Sequence, residues 1–323
     1  MKFAMKPIIV AGLSSLLVAC GGDTDVQNMS AKDLYMKASE VSAAKTAKYN
    51  FAVDATINTP QPEVGQILVK AKGALDLSAL KLEANPEITF SMFNVKLPMS
   101  IDFNKQSALV DVTSLLPVVA MMAPEAAAGL ETYRNKFVRF DAKKLGLPEA
   151  EASKIKTGIS EIMDIALTSS LEAQASLDEA LFKKEALDET AKQLGADSVV
   201  TLTMDAAQAK ALDEKMNSLM QNKIEKSTSL PAEFKEGVLN GLKEAQANKD
   251  TTNSSNTKLY LKEGKALRQI TNAQVTVDGN KMDIAATIDF SNYGSPKFEI
   301  NPAESNIVDF NMMDAMGAAA LMQ

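Results

Sequence analysis

The chain has 323 residues, 46% of them hydrophobic and 23% charged, a composition that belongs to folded proteins and not to disordered ones. Its 34 basic residues stand against 41 acidic ones, and a formal charge of −7 would be repelled by a phosphate backbone, so no nucleic-acid partner is expected. Histidine is absent and Cys20 is the only cysteine, which excludes Ser-His-Asp and Cys-His catalysis, zinc sites built on His or Cys, and intrachain disulfides.

The first residues carry Lys2 and Lys6, then an apolar run from Pro7 to Val18, then Leu17-Val18-Ala19-Cys20. The run is too short to span a bilayer comfortably, because a helix needs about 20 apolar residues to do so. It reads as an export signal over residues 1–19. The ending resembles a bacterial lipobox, in which the cysteine thiol is diacylglycerated and the leader is cut before it. That resemblance implies that Cys20 carries a lipid anchor, with residues 20–29 as a flexible tether. Each buried methylene contributes about 0.8 kcal/mol, so two or three chains hold a domain durably on a membrane. Loss of a leader bearing Lys2 and Lys6 brings the charge to −9. The resemblance to sorted lipoproteins, with Gly21 and not Asp after the anchor, implies delivery to the outer membrane, facing the periplasm, if the host has two membranes. In a host with one, the anchor sits on the outer face of the cytoplasmic membrane.

Ser30 and Asp33 form an N-terminal capping signal, and Ala31, Leu34, Tyr35, Ala38 and Val41 recur at helical spacing, which predicts a helix over 31–45. Tyr49, Phe51, Val53, Ala55 and Ile57 then alternate with polar residues, the pattern of a half-buried strand ended by Pro60 and Pro62. Further strands are expected at 66–77, 87–95, 98–104 and 107–113, with a turn at Asn104-Lys105-Gln106, and another around Phe137, Val138 and Phe140. From Glu149 to Gly195 helical spacing takes over, with Ile155, Ile159, Ile162 and Ile165 on one face. Ser198–Met204 reads as a short strand, Asp205 opens a helix, and another runs from Pro231 to Ala247. The polar stretch 246–257 is expected to be a loop. Three strands follow, around Leu259 and Leu261, Ile270 to Val277, and Met282 to Phe290, joined by turns at Glu263-Gly264 and Asp278-Gly279. Neither strand block looks complete alone. The expected fold is therefore α+β: one strongly curved antiparallel sheet of about ten strands, an unclosed β-barrel, with helices covering its concave face. Residues 30–323 would form a single domain with a helical insertion near 149–256.

Thr257 to Ile270, Met282 to Ile284, and Asp289 to Pro302 with its Asn292-Tyr293-Gly294 turn resemble the ending of lipoproteins of the LppX/LprG type, in the wider LolA/LolB-like superfamily. The helix after Ser30, the strand start at Lys48-Tyr49-Asn50-Phe51 and the unit from Ser198 to Lys215 fit the same plan. The resemblance implies a lipid-binding domain whose open barrel holds acyl chains or lipoproteins. The absence of tryptophan and the long helical middle depart from it.

Leu115 to Pro124 is the most apolar stretch after the leader and could border a cleft or fill a core, burial being the commoner outcome. Strand phase turns Phe51, Val53, Ile57, Phe90, Met92 and Ile288 inward as candidate ligand contacts, a phase that core packing predicts equally. Met312, Met313, Met316 and Met322 could pack back on the sheet or fray. No carboxylate pair is singled out for acid-base work, Asp283 and Asp289 being expected in solvent, and Gly264 and Gly279 are turn glycines with no phosphate loop around them. No enzyme activity, cofactor or metal is expected. Two functions remain: a lipid or acyl-chain binder, or an interaction lipoprotein with a filled interior that docks another envelope protein.

Overall fold

The alternation at residues 49–57 becomes strand β1 (Lys48–Asn58), preceded by helix α1 (Ala31–Ser42). This computed structural model describes residues 28–310, except 43, 61–64, 123, 125–129, 143, 146–147, 248–250 and 278. The leader, Cys20 and the four methionines from Met312 onward lie outside the described residues. Strands β2 (Gln66–Asp76), β3 (Lys81–Phe90), β4 (Phe93–Lys96), β5 (Met99–Asp102), β6 (Ser107–Asp111) and β7 (Phe137–Asp141) follow, with the short helix α2 (Leu116–Met122) between the last two. The expected strand over 87–95 is in fact a hairpin, because the chain turns at Ser91 and Met92, with Ser91 at a φ of 50°.

Helix α3 (Glu149–Ala175) occupies most of the segment read as helical, but a strand, β8 (Phe182–Glu185), interrupts the rest before helix α4 (Glu189–Leu194). Strand β9 (Ser198–Asp205) ends on Asp205, which caps α5 (Ala206–Lys226) through a reciprocal pair of bonds with Gln208, each 2.9 Å. Helix α6 (Ala232–Ala247) packs its Phe234 ring over Gly158 of α3, where a side chain would collide with it. The polar stretch read as a loop instead enters β10 (Thr251–Lys262), a correction to the sequence reading that comes from pairing with neighbours on both sides. Strands β11 (Lys265–Val277) and β12 (Asn280–Ser291) complete the block, and β13 (Ile307–Asp309) follows. Glu263 and Gly264 both take positive φ, 53° and 74°, as the two-residue turn between twisted antiparallel strands requires.

Thirteen strands form one sheet in the order β13-β7-β6-β5-β3-β2-β1-β12-β11-β10-β9-β8, with β4 paired to β3. Among the described residues the sheet thus has thirteen strands where about ten are expected. The sheet is open and curved, and antiparallel except where β13 runs parallel to β7. The two strand blocks meet where β1 pairs with β12, Val53 opposite Ile288 and Ile57 opposite Ile284. Helices α1 and α5 pack against β8 to β11, and α3 lies on α1 and α5. The main core sits between them: Leu34, Tyr35 and Ala38 of α1 meet Tyr49, Val200, Leu202, Leu259, Leu261, Ile288 and Phe290. Burial pushes the Tyr35 hydroxyl up to about 12. On the opposite face α4 covers Val199 and Tyr260.

A strap after β12 crosses the outer face of β1 to β3. Asn50 receives the Lys297 amide and donates to its carbonyl, and the Glu83 carboxylate, 5% exposed, accepts the amides of Glu299 and Ile300 at 2.8 Å each. A buried charge is tolerated there because two backbone donors satisfy it.

Candidate functional site: the inner face of the sheet

Registers across the sheet place the inward side chains in rows. One row runs from exposed Lys184 of the edge strand β8 through Val200, Leu259, Gln269, Ile288, Val53 and Ala71 to Pro86. The next runs Leu202, Thr257, Thr271, Ala286, Ala55, Val69, Ile88, Val95. A third runs Met204, Ser255, Ala273, Ile284, Ile57, Ile67, Phe90, Phe93. Two more continue from Phe51 through Gly73, Ala84, Met99, Val110 and Val138 to Val308, and from Leu75 through Leu82, Ile101 and Ala108 to Phe140. From β9 to β13 no Asp, Glu, Lys or Arg occurs in any of them. The outward positions, by contrast, carry Asp54, Lys70, Lys72, Glu87, Asp283 and Asp289. Asp283 is exposed as expected, whereas Asp289 pairs with Arg268.

Helix cover is uneven along these rows. Where α1 and α5 sit, Val200, Leu202, Leu259 and Ile288 are fully buried. Beyond them Ala55, Ile67, Val69, Ala71, Ile88, Ile284, Ala286, Met99, Ile101 and Val110 remain half-buried. The result is a continuous apolar wall that is open on one side. Such a surface gains by covering itself, at about 25 cal/mol per Å² of apolar area removed from water.

No family model and no curated protein matches this sequence. Among solved structures, the chain is similar to lipovitellin, in a study of its lipid–protein interactions, at 9% identity and a TM-score of 0.26 over 80% of this chain. It spans 26% of the lipovitellin chain. A β-barrel-like protein of a domain of unknown function from Brucella abortus is similar at 6% identity and a TM-score of 0.20, with 76% of this chain and 99% of that one covered. Both likenesses are too distant to inform the site.

Of the residues expected to face inward, Phe51, Val53, Ile57, Phe90 and Ile288 do so. Phe51, Val53 and Ile288 belong to the helix-covered core, Ile57 is 4% exposed, and the Phe90 ring stacks obliquely on Phe93 at 5.3 Å between centroids. Met92 does not: it is 81% exposed at the tip of the β3–β4 hairpin, because the turn at Ser91 breaks the strand phase on which the expectation rested. The apolar stretch after Leu115 is split. Leu116 is buried, while Met121 is 65% exposed, so α2 is neither a core plug nor wholly in solvent. Gln269, Thr271 and Thr257, polar members of the inner rows alongside Ser255, are not singled out by the sequence pattern. A register shift at Tyr260 and Leu261 leaves an extra residue in β11 between Ala266 and Arg268, which interrupts the alternation leading to Gln269 and Thr271.

An open hollow of about 470 Å³ lies along the ends of β1 and β9 to β12, bordered by outward Asn58, Thr203, Asn256, Gln274 and Asp283 and by Met204 and Ile284 of an inner row. Its side chains already bond to one another, Gln274 to Asp283 at 3.1 Å and Asn256 to Thr203 at 2.7 Å. Among the described residues no cluster of acidic or sulfur ligands could hold a metal ion.

Proposed function

We propose that this protein is a membrane-anchored bacterial lipoprotein that holds a lipid or acyl chain against the inner face of its open sheet, by sequestration and without bond chemistry. The observation that carries the reading is the wall of half-buried apolar rows from which charge is absent while the outward phase is charged. Selection for folding alone asks for apolar residues beneath the helices. It does not ask for them at the half-buried positions of β1 to β7 that lie beyond α1 and α5. An acyl chain lying along the rows would gain about 0.8 kcal/mol per methylene removed from water. The docking alternative calls for a filled interior, and the half-exposed rows count against it.

Native mass spectrometry of the chain beginning after Cys20 tests the binding. Co-purifying lipid, or uptake of a fluorescent lipid by the stripped protein, is expected; a ligand-free protein that takes up none overturns the reading. The lipobox-like ending at Cys20 supports attachment to the cell envelope. A Cys20→Ser chain should lose palmitate labelling and leave the membrane fraction, and its retention there would remove the anchor from the proposal.

A further inference from the structure

The inner rows contain one small polar island. Gln269, 3% exposed, lies between Leu259 and Ile288 and donates through Nε2 to Thr271 Oγ1 at 3.1 Å. Thr271 shares a second bond with Thr257, oxygen to oxygen, at 3.2 Å. Gln269 Oε1 is buried with no partner. Turning the amide over does not cure this, since Oε1 would then accept from Thr271 and Nε2 would be left unpaired. Either orientation directs an unused hydrogen-bonding valence at the inner face. A buried polar group left in that state destabilises a fold by about 1–3 kcal/mol. Ser39 Oγ, fully buried on α1, the helix that packs against β11, also lacks a partner.

Position and charge narrow what could use this valence. Gln269 stands in the helix-covered core between buried Leu259 and Ile288, and its partner Thr271 is half-buried beside half-buried Ala286, where the open wall begins. A carboxylate or phosphate seated there would be desolvated, and the cation in phase with this row, exposed Lys184 at the β8 edge, stands three strands away from Gln269. A hydroxyl, in contrast, can donate to the amide oxygen and accept from a threonine.

We propose that Gln269, Thr271 and Thr257 form a neutral subsite for the uncharged, hydroxyl-bearing head of the bound lipid, so that the protein selects acylglycerol-like ligands over fatty-acid anions. This rests on the lipid-binding reading above and adds the ligand class and the residues that choose it. The test uses three fluorescent probes with the same chain: a monoacylglycerol, the free fatty acid at neutral pH, and a headless alkane. The monoacylglycerol is expected to bind at least about five- to tenfold more tightly than the fatty acid, the worth of one net hydrogen bond. Gln269→Leu and Thr271→Val should abolish that preference, read as the ratio of monoacylglycerol to fatty-acid affinity, while the alkane is still bound. Equal binding of the two headed probes by the native chain, or a preference that survives both substitutions, overturns the subsite while the alkane still reports an intact wall. The latter is the outcome expected if the amide merely binds a structural water. Should Gln269→Leu fail to bind the alkane, Thr271→Val, which keeps the side-chain shape, decides. A native chain that binds no alkane refutes the underlying reading and the subsite with it.

Discussion

Gly73 shows how a residue that weakens a strand in isolation can be required by its neighbours. A Cβ built on it would lie 2.1 Å from the Glu83 carbonyl oxygen and 2.4 Å from the Phe51 ring. The missing side chain is what lets that ring lie flat across β2 and join the core. Gly73→Ala is therefore expected to destabilise the fold by about 1–3 kcal/mol, as overpacking does, despite its gain in strand propensity. Urea unfolding measures this, and an unchanged midpoint would disprove it. Residue phase was legible for Phe51, Val53, Ile57 and Ile288, because uninterrupted alternation maps directly onto one face. It was not legible for Met92 or Gln269. A turn intervenes at the first, a register shift beside the second, and either one resets the count by which faces are assigned.

At the scale of elements, pairing overrode local preference in three places. Thr251 to Thr257 has the composition of a loop, yet β11 pairs with it and β9 gives its backbone a second partner from Ser254 onward. β8 is four residues long with exposed Lys183 and Lys184, a charged form suited to the sheet edge it occupies and invisible to a search for apolar alternation. β13 closes the other edge with three residues, held to β7 by ion pairs of Arg139 with Asp309 and Glu304 and of Lys144 with Asp309. Hydrogen bonds from Arg139, then Lys144, hold the Asp309 carboxyl down to about 2 from its ordinary 3.8. Because the folded value is the lower one, this support is complete above pH 3.8 and is lost as pH falls through 2. Amide exchange at Ile307 to Phe310 should accelerate relative to the central strands over that window, and Asp309→Asn should produce the same acceleration at neutral pH. Exchange that stays uniform across the sheet would show that the edge does not depend on these charges.

Over the whole molecule, the joining of β1 to β12 converts two incomplete meanders into one surface, and only then do the inner rows become continuous. Val69 lies in the middle of that surface, half-buried and away from the helices. Val69→Asp should weaken uptake of an apolar probe by at least about tenfold, since a ligand covering it must desolvate a charge, while the far-UV circular dichroism is retained. Binding that persists at the native affinity would mean that lipid does not use the wall. The sequence by itself determined the alternation of each long strand, the cap at Asp205, the α+β class and the absence of histidine and disulfide chemistry, since all of these depend on composition or on neighbours a few residues apart. Tertiary structure alone decided which strands pair across more than two hundred residues, how far the helices reach over the sheet, and that Gln269 is left with an unused valence. Those outcomes depend on contacts between distant segments, and a one-dimensional pattern carries the period of a face but not the identity of what lies against it.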